Sequence, residues 1–165
     1  MNTYFHLRAV PPSALRNSAN WMRKLFEDDW DTVRLRVDRR REGLLDRHYL
    51  DHDLLYAGAP PYHDEEGPRA QVILGGRPVY TADQAEPPFL LLTAAQVARI
   101  SAFLGAADFD SLWQLARADL MPRYGGAPAE PRTRRLFEAA HADLTAFYRQ
   151  TTTCGDAVVK WLLLP

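Results

Sequence analysis

A chain of 165 residues, 47% hydrophobic and 25% charged, is long enough to bury one core and too apolar to stay disordered. Its net charge of −1 offers no field to DNA, RNA or an anionic membrane, so neither a nucleic-acid nor a membrane partner is expected. The single cysteine, Cys154, excludes an internal disulfide, and the N-terminal residues carry neither a basic leader nor a long apolar run, so the expected compartment is the cytoplasm.

Thr3 to Val10 alternates Phe5, Leu7 and Ala9 against Tyr4, His6 and Arg8, which predicts a strand stopped by Pro11-Pro12. Ser13 to Asp28 reads as a helix with Leu15, Ala19, Met22 and Phe26 on one stripe. Trp30 to Arg36 fits either a short extended piece or a turn. The basic run from Arg34 to Arg41 is bracketed by Glu27, Asp28, Asp29 and Asp31 before it and by Glu42 and Asp46 after it. It reads as a self-neutralised surface rather than a phosphate patch. Arg41 to Ala57 reads as a second helix ending at Gly58, and Ala59 to Arg69 as an exposed loop rich in proline and acids.

Val72-Ile73-Leu74 is expected to be a buried strand that turns at Gly75-Gly76, and Phe89 to Leu92 another strand. Thr93-Ala94-Ala95-Gln96 fits a capping box, followed by a stripe of Val97, Ile100, Phe103 and Leu104. Asp108 or Asp110 caps a helix burying Phe109, Leu112, Trp113 and Ala116. After a Gly/Pro linker, Glu130-Pro131 starts the longest helix, with Leu136, Ala140, Leu144, Phe147 and Thr151 at helical spacing. Gly155 ends it, and Ala157 to Leu164 forms a strand apolar on both faces apart from Lys160, hence central in its sheet. The fold class is α+β over one domain, 1–165: a small mixed sheet including both terminal strands, packed by about five helices.

Three stretches resemble the YfbM-like family, bacterial proteins grouped as a domain of unknown function. They are the opening strand with Arg8-Ala9-Val10-Pro11-Pro12-Ser13-Ala14-Leu15, the segment Leu45-Asp46-Arg47-His48-Tyr49 leading to Gly58, and Ala70-Gln71-Val72-Ile73-Leu74-Gly75-Gly76. In this chain Tyr49 replaces the family's tryptophan, Arg47 its lysine and Ala57 its threonine, and a histidine the family often carries falls at Asp53, beside His52. The resemblance implies a compact α+β bacterial protein and brings no activity.

The candidate ligand-binding residues are Arg47, His48, His52 and Asp53. His48 and His52 stand four apart on a predicted helix, so both imidazoles share a face, which is half of a zinc site. The glutamate of a His-Glu-x-x-His protease motif is missing, and the plainer reading is two histidines beside carboxylates. Gly75-Gly76 leads into Arg77-Pro78 rather than a helix, so it is a turn and not a phosphate loop. His141 is expected at the edge of the core, Cys154 as a structural thiol, and His6, Arg8 and Lys160 are candidates to share one sheet face. No cofactor is expected. The favoured function is a non-catalytic binding or protein-interaction module, which predicts an exposed aromatic patch near Tyr49, Tyr56 and Tyr62. The alternative is a metal-assisted hydrolase using His48 and His52.

Overall fold

The computed structural model describes residues 3–58 and 67–163. Five strands, β1 (Tyr4–Val10), β2 (Glu42–Leu45), β3 (Arg77–Val79), β4 (Phe89–Leu92) and β5 (Ala157–Leu163), form a sheet in the order β2-β1-β5-β4-β3. Every pairing is antiparallel. Both terminal strands lie inside the sheet, with β5 at its centre, as its two apolar faces require. Around it, among the described residues, are seven helices: α1 (Ala19–Lys24), α2 (Trp30–Asp38), α3 (Tyr49–Ala57), α4 (Pro68–Gln71), α5 (Ala94–Ala106), α6 (Phe109–Leu120) and α7 (Glu130–Thr153).

The period-two pattern sends alternate residues to opposite faces of the sheet. Phe5 and Leu7 of β1, Leu92 of β4 and Val158 of β5 join the larger core with α3, α5, α6 and α7. Val10, Phe89, Leu91, Ala157 and Val159 meet Met22 and Phe26 in a smaller core beneath α1. Thr93 caps α5 with the reciprocal Gln96 contact expected of its sequence, and Asp108 caps α6. Glu130, in the first turn of α7, accepts from Trp113 Nε1 at 3.0 Å and from Arg117 Nε and Nη2 at 2.6 and 2.5 Å. Those hydrogen bonds, Arg117 first, hold its carboxyl down at about 2 and tie α7 to α6.

Four segments come out differently. The helix expected over Ser13 to Asp28 is broken, with a 3₁₀ turn at Pro12–Arg16 and then α1. Ser18 takes an extended conformation and its hydroxyl accepts from Trp21 N–H at 3.2 Å, so it starts a new helix instead of continuing one. The ambiguous Trp30 segment is α2, capped by Asp29.

The helix expected over Arg41 to Ala57 is a strand followed by a helix. Leu44 and Leu45 sit on β2, paired with β1, and α3 begins at Tyr49 with His48 as its N-cap. Gly43 weakens the helix alternative, and β1 supplies an open edge that local propensity does not register.

In Val72-Ile73-Leu74 the first two residues are buried and Leu74 half-buried, but the segment is not a strand. It extends α4 as a turn, with Val72 in right-handed helical geometry. The carbonyls at this helix end are satisfied from afar: Lys160 Nζ donates to Gln71 O at 2.8 Å and Tyr148 Oη to Val72 O at 2.5 Å. A side chain on Gly75 would overlap the Ala70 carbonyl, so only glycine closes this turn before β3. The loop expected over Ala59 to Arg69 lies outside the described residues from 59 to 66, and α4 begins at its other end.

Candidate functional site

A cleft of about 350 Å³ opens where the end of β2, the start of α3 and the middle of α7 meet. Leu44 and Leu45 line its strand side, and Leu136, Phe137 and Ala140 its α7 side. Asp46, His48, His52 and Tyr124 complete the rim, with Tyr4 beside them. Leu136, placed by its helical spacing in the core stripe, is instead 59% exposed at this mouth, and Phe137 takes the core position.

The chain turns from β2 into α3 at Asp46. The Asp46 carboxylate accepts His48 N–H at 2.9 Å and its carbonyl accepts Tyr49 N–H at 3.1 Å. The carbonyl of His48 then accepts the amides of Asp51 and His52. The four-residue spacing therefore still places His48 and His52 on one cleft, although His48 stands at the helix start rather than within it.

The two imidazoles differ in surroundings. Arg47 Nε donates to His48 Nε2 at 3.3 Å, so in the neutral ring the proton sits on Nδ1, which lies 3.6 Å from Asp51 Oδ2. Asp51 is nearly sealed. It accepts from Tyr124 Oη at 2.7 Å and pairs with the Arg123 guanidinium. Burial, then the hydrogen bond to Asp51, raises the Tyr124 phenol far above its usual range, so it stays a donor.

His52 is 9% exposed, its ring centroid 4.4 Å from that of Phe137. Burial drives its pKa down to about 4, against the opposing pull of Asp46 and Asp51, so the ring is neutral at pH 7. Among the described residues its nitrogens have no hydrogen-bond partner, and the ring lines the cleft.

Of the four residues singled out from the sequence, the structure brings His48 and His52 together, with Arg47 on the exposed side of His48. Asp53 stands apart. It is buried, accepts Leu74 N–H at 3.3 Å and stabilises the charged form of Lys160. For metal binding, Asp51 is committed to Arg123 and Tyr124, and no group of three or more His, Cys, Asp or Glu is placed to hold an ion among the described residues.

The expected aromatic patch is not on the surface. Tyr56 is buried with its hydroxyl 2.9 Å from His141 Nδ1, and half-buried Tyr49 stacks on Phe5. Tyr62 lies outside the described residues. Lys160 faces away from His6 and Arg8, because its register partner is Leu7 whereas theirs are Trp161 and Val159. Cys154 is exposed at the end of α7 rather than packed. Tyr124 and Arg123 went unread because a Gly/Pro linker carries no periodicity; an aromatic beside an arginine inside a linker was the available signal.

The profile of a family described as a domain of unknown function, DUF1877, matches residues 1–161. Among solved structures, the chain is similar to a protein of unknown function, YfbM from Escherichia coli, at 16% identity with a TM-score of 0.60, covering 99% of this chain and 100% of that one. That likeness shows a shared α+β fold. No curated protein matches the chain.

Proposed function

We propose a non-catalytic binding role for this chain, which belongs to the DUF1877 family, a domain of unknown function. It acts as one domain over residues 1–165, through the cleft between β2, α3 and α7. The observation that carries this reading is His52: a neutral imidazole, nine-tenths buried, with both nitrogens unpartnered among the described residues and an open cleft in front of it. The ring nitrogens are not sealed from the cleft, so a ligand seated there can hydrogen-bond the imidazole in place of water.

The cleft walls specify the ligand's character. Leu44, Leu136, Phe137 and Ala140 suit an aliphatic or aromatic group, and His52 suits a single hydrogen-bonding atom beside it. A protein partner fits better than nucleic acid, because the arginine Arg123 is already neutralised by Asp51. A bacterial cytoplasm suits the exposed Cys154 thiol.

The test is a fragment screen by ligand-observed NMR on the wild type and on His52→Leu. Aromatic fragments bearing one donor or acceptor should bind the wild type, shift His52 and Tyr124, and lose at least tenfold in affinity on the variant. Fragments that bind both proteins equally, or that shift only residues outside the cleft, would remove this reading.

A further inference from the structure

The polar side chains around the cleft are uneven in what they can offer a ligand. His48 has both ring nitrogens engaged: Nε2 accepts from Arg47 Nε at 3.3 Å, and the protonated Nδ1 faces Asp51. Tyr124 gives its one hydroxyl hydrogen to Asp51 Oδ2 at 2.7 Å, which leaves its oxygen able to accept and nothing more. Asp46 is an exposed carboxylate, and His48 N–H, at 2.9 Å from Oδ1, uses only part of its accepting capacity. The neutral His52 ring adds one bare nitrogen and one N–H. Acceptors outnumber donors among these side chains, so the ligand that suits them is a donor.

Charge narrows the donor further. Asp46 is the only carboxylate lining the cleft among the described residues, and no lysine or arginine lines it. No cation pairs with Asp46 among those residues either. The neighbouring arginines stand outside the lining: Arg123 is paired with Asp51, and Arg47 lies on the exposed side of His48. The charge of Asp46 is felt at both polar groups behind it. It opposes the burial that lowers His52 and adds to the burial that raises Tyr124.

The α7 wall is of the opposite character, built from Leu136, Phe137 and Ala140. A cation carried on an apolar stem satisfies both sides at once, as a snorkelling lysine does at a protein surface. Guanidinium is the poorer match. Its parallel two-point grip uses both oxygens of a carboxylate, and one oxygen of Asp46 is already held by His48 N–H. A compact ammonium asks for one.

We propose that the cleft binds a primary ammonium on an apolar stem, with Asp46 as its counter-charge, His52 as a hydrogen-bond acceptor and Leu136 and Phe137 against the stem. The inference rests on the cleft being a binding site and adds the charge of what it binds. A lysine side chain of a partner protein and a free amine present this same chemistry.

Phenethylamine, phenethyl alcohol and hydrocinnamate share one apolar stem and differ in charge, so each is titrated into the ¹⁵N-labelled protein while His52 and Tyr124 are followed by NMR. Phenethylamine should bind at least tenfold tighter than the alcohol, and hydrocinnamate should not compete with it. Added salt should weaken the amine and leave the alcohol unchanged. In Asp46→Asn, which keeps a side-chain oxygen for His48 N–H, the amine should fall to the affinity of the alcohol. The ranking in the wild type carries the test even where that variant does not fold. Acetyl-Gly-Lys-Gly-amide separates the sources: the same shifts assign the cation to a partner's lysine, and failure beside a bound phenethylamine assigns it to a free amine. The arginine counterpart of that peptide should bind more weakly than phenethylamine.

Equal affinity of amine and alcohol, or tighter binding of hydrocinnamate, would overturn the cation and leave the cleft standing. An amine preference that survives Asp46→Asn, or that moves only residues away from His52 and Tyr124, overturns it as well. If fragments of every charge leave His52 unmoved, the cleft itself fails as a binding site, an outcome distinct from loss of the charge preference.

Discussion

The two edges of this sheet are built on opposite plans. At one, β3 has three residues with Pro78 in the middle, opposite Leu90 of β4. Proline brings no N–H, so this edge offers an incoming strand almost nothing to pair with. At the other, β2 carries no proline, its Glu42 is only 2% exposed, and it is walled on both sides by α2 and α7. The sheet is one hydrogen-bonded unit, yet its edges are closed by different means, a proline at β3 and flanking helices at β2. Edge chemistry is thus a matter of a few side chains, independent of the strand order behind them.

The largest test of this contrast separates neighbouring positions on β2. Leu45→Pro should lose a ladder bond and a buried side chain, costing about 3 kcal/mol or more, and chemical denaturation should find it largely unfolded. Leu44→Pro, one residue away, should stay folded, with a loss of about 1 kcal/mol. Ala9 N–H donates to Arg41 O at 3.1 Å, so along the ladder Leu45 with Phe5 is a bonded pair and Leu44 with His6 is not; equal losses at the two positions would break that alternation.

The centre of the sheet gives a pH signature that neither edge should alter. Lys160 is fully buried and its pKa is lowered to about 7 by burial, against the pull of Asp53. Between about pH 7 and the unfolded value of 10.5, the unfolded chain holds a proton that the native chain has released. Stability therefore rises with pH across that window, by an upper bound of about 5 kcal/mol, and the penalty is complete below it. Urea midpoints measured from pH 7 to 10 should show the rise, and Lys160→Met should flatten it.

The β2 side carries a further titration that the β3 side lacks. His52 has a native pKa of about 4 against 6.5 unfolded, so its contribution is intact above pH 6.5 and is lost as the pH falls towards 4. The loss is at most about 3 kcal/mol, and His52→Leu should remove that part of the acid sensitivity. A peptide or fragment seated in the cleft should also change the apparent His52 pKa in a histidine-resolved NMR titration.

The smallest effect on stability should come from Pro78→Val, within about 0.5 kcal/mol for an exposed position. Its interest lies elsewhere. Restoring an N–H on β3 should open that edge, and sedimentation velocity should detect association beyond that of the wild type. A variant that associates no more than the wild type would show that the shortness of β3, rather than its proline, is what closes this edge.

The features legible in the sequence were those with local causes. Thr93 with Gln96, Asp108, Gly155 and the paired prolines each act on backbone groups within a few residues, and α5, α6, α7 and β5 fall where those signals place them. The period-two pattern of β1 and the two apolar faces of β5 also carry over directly. At the candidate site, His48 and His52 were expected on one face of a helix; both line one cleft, with His48 as the cap of α3 rather than inside it. Asp53, one residue after His52, is turned to another face of α3 by helix geometry itself; what spacing did not give is that this face meets Lys160 and Leu74.

Residues 41–57 and 72–74 mark the boundary. Leu44-Leu45 and Val72-Ile73-Leu74 are short apolar runs, and burial alone favours helix and strand almost equally for such runs. What decided them was the location of hydrogen-bond partners far along the chain: β1 for Leu44-Leu45, and Lys160 and Tyr148 for the carbonyls of Gln71 and Val72. Composition, caps and breakers determined where elements of this protein start and stop. Only the assembled sheet decided which segment became its outer strand, because an open edge exists only once distant strands have met.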